Sequence, residues 1–142
     1  MGIVGIARAD HLRLGTGIGE AIERAGGIRT KSDQICVKIN LCECRTPETG
    51  AVTDPRFLEA FLLYVKNHLS PEAIFVVESN ATTARPNLIM KWLGYEKVLR
   101  RFNATWVNLS ATPTATVRIQ GRHSRELDVP QLVLDSCLCL LY

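Results

Sequence analysis

The stretch Val37-Lys-Ile-Asn-Leu-Cys-Glu-Cys-Arg-Thr-Pro-Glu-Thr-Gly-Ala-Val-Thr-Asp-Pro55 sets the architecture. Its β-branched start reads as a strand with Lys38 in the middle. A polar loop follows, and Thr53-Asp54-Pro55 opens a helix. Asp54 suits the N-cap, and Pro55 suits the first helical position, where its missing N–H costs nothing. In a parallel sheet such a strand-to-helix loop lies at the carboxyl edge, where open α/β folds bind ligands.

The flanking sequence repeats the alternation. Ile3–Ala7 reads as a first strand, and Gly15-Thr-Gly-Ile-Gly19 opens a helix that runs to about Ala25. Ile35–Leu41 is the second strand. Pro55–Leu69 is the clearest helix, with Phe57, Leu58, Phe61, Leu62 and Val65 at helical spacing. Ala73–Val77 is a continuous apolar strand of the kind covered on both faces. Pro86–Leu93 and Tyr95–Phe102 form a helix pair, or one helix broken at Gly94, and Thr105–Leu109 is a strand. Thr114–Gln120 and Ser124–Val129 then alternate as a β-hairpin. Leu132–Leu134 reads as a helical turn, and Cys137–Leu141 as a buried strand. The prediction is an α/β fold: a mostly parallel sheet of β-α-β units with helices on both faces, plus a C-terminal β-hairpin.

The 142 residues suit a single domain with a real core. The formal charge of +3 is too small to argue for nucleic acid. Lys91, Lys97, Arg100 and Arg101 cluster, which reads first as a solvated helix face and only second as an RNA-binding patch. No signal peptide precedes Ile3–Ala7, and no run approaches the roughly 18 apolar residues of a membrane helix. A cytoplasmic location without membrane contact is the expectation. The apolar run up to Tyr142 has no polar tail behind it, which suggests the amino-terminal part of a larger domain.

In the strand 35–41, Cys36, Lys38 and Asn40 share one face. A lysine in a central strand needs a carboxylate or an anionic ligand. Glu78, at the end of the next strand, is the best partner; on an edge strand Lys38 would instead snorkel to water. Asn40, Thr49, Gly50, Thr53, Asp54, Glu78, Ser79, Asn80, Thr82 and Thr83 gather at one sheet edge. With Lys38 they suggest a site for a small anionic ligand, helped by free N–H groups at the helix start. Ordinary turn chemistry explains the same residue types.

Gly15-Thr-Gly-Ile-Gly19 is not a dinucleotide fingerprint, because Glu20 stands where the pattern needs its last glycine. The five cysteines, Cys36, Cys42, Cys44, Cys137 and Cys139, are an odd count and form no disulfide framework. Two C-x-C pairs are a weak metal signal, so no metal site is expected. Cys42 and Cys44, beside Arg45, are the more reactive thiols. His11, His68 and His123 lie in separate segments and share no catalytic spacing; His68 suits the carbonyls of a helix end.

Val-Lys-Ile-Asn-Leu (37–41), Thr-Gly-Ala-Val-Thr-Asp-Pro (49–55), Val-Val-Glu-Ser (76–79) and Gly-Tyr-Glu (94–96) together resemble the amino-terminal part of the domain-of-unknown-function 362 family. The family has Lys-Pro-Asn where this chain has Lys38-Ile39-Asn40. The resemblance implies an association with redox chemistry through fused iron–sulfur ferredoxin modules, and it defines no reaction. The ferredoxin cysteine run is missing here, so no cluster is expected within the chain. Three partners follow from these observations: a small anionic ligand, the missing C-terminal half, or a second copy of the chain paired through the last strand. Nucleic acid is not an expected partner.

Overall fold

The computed structural model describes residues 2–10, 13–30, 32–82 and 84–141, without the side chains of Leu138 and Cys139. Four strands, β1 (Gln34–Lys38), β2 (Ala73–Glu78), β3 (Thr105–Asn108) and β6 (Cys137–Leu140), form a parallel sheet in the order β3-β2-β1-β6. The helices are α1 (Leu14–Arg24), α2 (Pro55–His68), α3 (Pro86–Trp92), α4 (Tyr95–Phe102) and the short α5 (Gln131–Asp135). Strands β4 (Thr114–Arg118) and β5 (Glu126–Pro130) form a separate antiparallel hairpin.

Side-chain alternation divides the sheet into two faces. Ile35, Val37, Ile39, Ile74 and Val76 meet Leu58, Phe61, Leu62 and Val65 of α2 in the main core. Ile89 and Met90 of α3, Tyr95, Val98, Leu99 and Phe102 of α4, and Ile18 of α1 join the same cluster. Cys36 and Val77 are buried on the opposite face. The connections β1-α2-β2 and β2-α3-α4-β3 step in one direction, whereas the return from β3 to β6 steps back past β1. With right-handed crossovers that return crosses the second face, and α5 packs against β1 and β6.

The Asp54 cap forms as the sequence predicts, with its Oδ1 accepting from the Arg56 backbone N–H at 2.8 Å. Gly94 takes left-handed backbone (φ 78°) between α3 and α4, which are therefore two helices, and Asn103 (φ 50°) ends α4.

Ile3–Ala7 is not a strand. Its apolar side chains Ile3, Val4 and Ile6 are exposed, and its backbone rests on α1. Arg24 Nη1 donates to the Ile6 carbonyl at 2.5 Å, and a Cβ on Gly5 would fall 1.8 Å from the Ala21 carbonyl oxygen. The side of β1 that such a strand would need is filled by β6, and a strand edge takes one partner.

Candidate functional site at the carboxyl edge of the sheet

β1 and β2 end together, and the polar chemistry collects there. Glu78 is 5% exposed. Its Oε2 accepts from the Leu41 N–H at 2.9 Å, and its Oε1 accepts from the Ser79 N–H at 2.8 Å. Lys38 Nζ lies 3.1 Å from Glu78 Oε1 and donates to Oε2 at 3.2 Å and to the Ile39 carbonyl at 3.0 Å. A buried carboxylate needs this many donors to offset its lost hydration. The Lys38 side chain keeps 23% exposure at this edge.

The loop after β1 is braced from within. Asn40 and Thr53 bind each other twice: the Thr53 N–H donates to the Asn40 carbonyl at 3.0 Å, and the Asn40 N–H donates to Thr53 Oγ1 at 2.9 Å. Asn40 Nδ2 donates to the Ala51 carbonyl at 2.9 Å. Thr53 is 2% exposed, and its hydroxyl donates to the Leu141 carbonyl at 3.0 Å. That bond ties the loop to the end of β6. The buried Tyr95 hydroxyl donates to the Thr53 carbonyl. Burial, and then the Asp54 charge, push the Tyr95 pKa up, so Tyr95 stays a donor.

Thr49 ends a 3-10 turn (Pro47–Thr49), with its hydroxyl donating to the Thr46 carbonyl at 2.7 Å, and Gly50 follows in left-handed backbone with φ 72°. Both are exposed. Asp54 accepts from the Arg56 backbone and guanidinium, with Nε 3.1 and 3.0 Å from its two carboxylate oxygens. A first-turn donor of α2 therefore faces a carboxylate, which makes this helix start a poorer anion site than the sequence suggests.

The ends of β2 and β3 add residues that sequence patterning did not single out. Asn108 Nδ2 donates to Asn80 Oδ1 at 3.1 Å, the Asn80 N–H donates to Ser110 Oγ at 2.9 Å, and the Ser110 N–H donates to Asn108 Oδ1 at 3.1 Å. Asn108 and Ser110 read as ordinary turn residues until the register of β3 sets Asn108 beside Glu78. Ser79 is half-buried next to them, and Thr82 lies further out in the loop. Thr83 and His11 lie outside the described residues.

The described thiols differ in exposure, and the side chain of Cys139 lies outside the described residues. Burial pushes the Cys36 thiol up to about 11. Cys42 Sγ is 3.4 Å from the Ala51 carbonyl and 3.5 Å from Asn40 Nδ2. Cys44 is exposed, and Arg45 is paired with Glu43 at 2.5 Å, which offsets the cation expected to activate it. No group of three or more His, Cys, Asp or Glu side chains that could hold a metal ion occurs among the described residues. His68 Nδ1 lies 2.9 Å from the Tyr64 carbonyl, and its ring stacks on Tyr64. No described helix is long and apolar enough to cross a membrane.

The strand order makes the space between β1 and β6 a topological switch point, because the chain leaves β1 toward β2 and reaches β6 only after β3. The family model for the domain of unknown function DUF362 matches residues 35–140. The chain belongs to that family. No curated protein and no solved structure matches the chain. The DUF362 match thus covers the parallel sheet from the second residue of β1 to the end of β6, together with the hairpin, and leaves α1 and the segment before it outside.

Proposed function

We propose that this DUF362 domain binds a small anionic ligand at the carboxyl edge of its sheet, beside the β1–β6 switch point. Lys38 supplies the cation. Ser79, half-buried, follows Glu78 directly, and Thr49 and Gly50 lie exposed in the loop after β1. Glu78, Asn40, Thr53 and Asp54 act as positioning residues, since each spends its polar atoms on the surrounding loop and helix. The observation that carries this reading is a strand lysine at the carboxyl edge, held by a buried carboxylate, whose side chain is 23% exposed. An association with redox chemistry rests on the family resemblance alone.

Isothermal titration with inorganic phosphate, at ionic strength matched with sodium chloride, tests the site. Saturable binding is expected. The double variant Lys38→Gln/Glu78→Gln removes both charges together and should abolish it while keeping a native circular dichroism spectrum. Heats no larger than those of chloride, or binding unchanged in the double variant, would exclude Lys38 as the ligand's cation.

One observation favours association instead. β6 is the terminal strand of the sheet; its outer side pairs with no described strand, and Leu140 is 57% exposed. Open strand edges are templates for pairing with a second copy or another chain. Light scattering under reducing conditions distinguishes the two: a stable monomer at concentrations on the order of tens of micromolar rules out self-pairing.

A further inference from the structure

The β4–β5 hairpin stands apart from the parallel sheet, and every residue from Arg118 to Asp128 is exposed. A two-stranded hairpin is at best marginally stable by itself in water, so this exposure calls for a surface that the arm meets. Its two faces differ. Ala115, Val117, Leu127 and Val129 pair across the strands on one face. Thr116 and Asp128 share a 2.6 Å hydrogen bond on the other, where Arg118 and Glu126 lie 3.6 Å apart. Ile119 and Leu127 are 38% and 51% exposed.

The tip concentrates charge. Residues 118–125 contain Arg118, Arg122, His123 and Arg125 and no acid, and with Glu126 and Asp128 the exposed stretch 118–128 carries a formal charge of +1. The hairpin brings them together, since the Ile119 N–H donates to the Arg125 carbonyl at 2.9 Å and so extends the ladder toward the turn. Glu126 offsets part of this charge. Its pairing with Arg118 is long and solvent-exposed, the kind of ion pair that holds weakly.

We propose that this hairpin is a docking arm for an anionic bilayer surface. Arg118, Arg122 and Arg125 meet lipid phosphates through their planar guanidinium forks. Ile119 and Leu127 enter the boundary between headgroups and acyl chains. A nucleic acid would account for the arginines too, and duplex DNA is therefore a competitor in the test below. Apart from His123, the arm carries no ring that could stack on a base. An acidic protein groove would call for a shaped counterpart, whereas this tip is fully open and fits a fluid, planar surface. That no described helix is long and apolar enough to cross a membrane does not bear on contact with its surface.

Co-sedimentation of the full chain with phosphatidylcholine vesicles, with and without phosphatidylserine, tests the arm. Binding is expected only with phosphatidylserine, and it should weaken as salt rises. Each basic residue near such a surface strengthens binding about fivefold. The triple variant Arg118→Gln/Arg122→Gln/Arg125→Gln should therefore lose roughly a hundredfold in binding, whereas the charge-preserving triple lysine variant keeps most of it. Ile119→Ser/Leu127→Ser should remove the part that survives high salt. Lys97→Gln/Arg100→Gln and Lys38→Gln/Glu78→Gln should change nothing, which separates the arm from the carboxyl-edge site. Equal binding to neutral vesicles, no binding to either, or indifference to the arginine substitutions would overturn the proposal. So would binding to duplex DNA in place of vesicles with the same arginine dependence.

Discussion

Lys38 and Glu78 belong to opposite faces of the sheet by side-chain alternation, yet Lys38 Nζ lies 3.1 Å from Glu78 Oε1. Both strands end at these residues, so both side chains can turn over the carboxyl edge and meet. The pair also anchors the following loops, because Glu78 takes the Leu41 and Ser79 N–H groups.

Glu78→Ala leaves the Lys38 ammonium and two backbone donors without their carboxylate. A loss of about 3–5 kcal/mol is expected, as for breaking a buried pair from one side. Lys38→Gln/Glu78→Gln should cost clearly less, because no lone charge remains. Urea midpoints of the two variants measure this; equal losses would show that the backbone bonds, and not the charge pairing, dominate.

Three glycines in α1 should respond in opposite directions to alanine. A Cβ on Gly15 meets no atom within 4 Å, and one on Gly19 makes ordinary contact with Tyr64 at 3.7 Å. Both border a cleft of about 390 Å³ between α1 and α2. Gly15→Ala and Gly19→Ala should each stabilise by about 0.5–1 kcal/mol, the usual gain inside a helix. Gly17→Ala should destabilise, because its Cβ would lie 2.8 Å from the Ala9 Cβ and 2.9 Å from the Arg8 carbonyl oxygen. Thermal melts of the three single variants check the signs.

The Tyr64 hydroxyl donates to Glu23 Oε1 at 2.7 Å. Burial, then this bond, then the Glu23 charge raise its pKa from the ordinary 10.0 to about 12. The raised value means that the folded state holds the phenolic proton longer than the unfolded chain does. The associated stability is complete below about pH 10 and is lost as pH rises toward the folded value. Denaturation midpoints should fall between pH 10 and 12. Tyr64→Phe should lower the midpoint at neutral pH and flatten that alkaline fall; an unchanged slope would show that Tyr64 does not carry it.

Thiol labelling should follow burial. Iodoacetamide at neutral pH is expected to modify the exposed Cys44 first, then the half-buried Cys42, and Cys36 only on unfolding. The raised pKa of Cys36 reinforces its burial by keeping it a thiol. Peptide mapping by mass spectrometry reads the order; early modification of Cys36 would mean that the second face of the sheet opens.

The sequence by itself determined the elements whose cause is local. Asp54-Pro55 starts α2 because its cap and first-turn chemistry lie within three residues. The alternation of 114–118 with 126–130 makes the hairpin because its pairing is short-range. β2 was legible as the continuous apolar run Ala73–Val77, and the Lys38–Glu78 partnership as the need of a strand lysine for a carboxylate. Ile3–Ala7 has the same apolar texture as a strand, and texture cannot tell which segment reaches the open side of β1. Tertiary structure decided that competition for β6, from residues about a hundred positions away. It also decided that Thr53 is a buried brace to Leu141 and Tyr95, and that Asn108 joins the carboxyl edge. Each of these depends on which chain ends meet in space, a property of sheet order that no local period encodes.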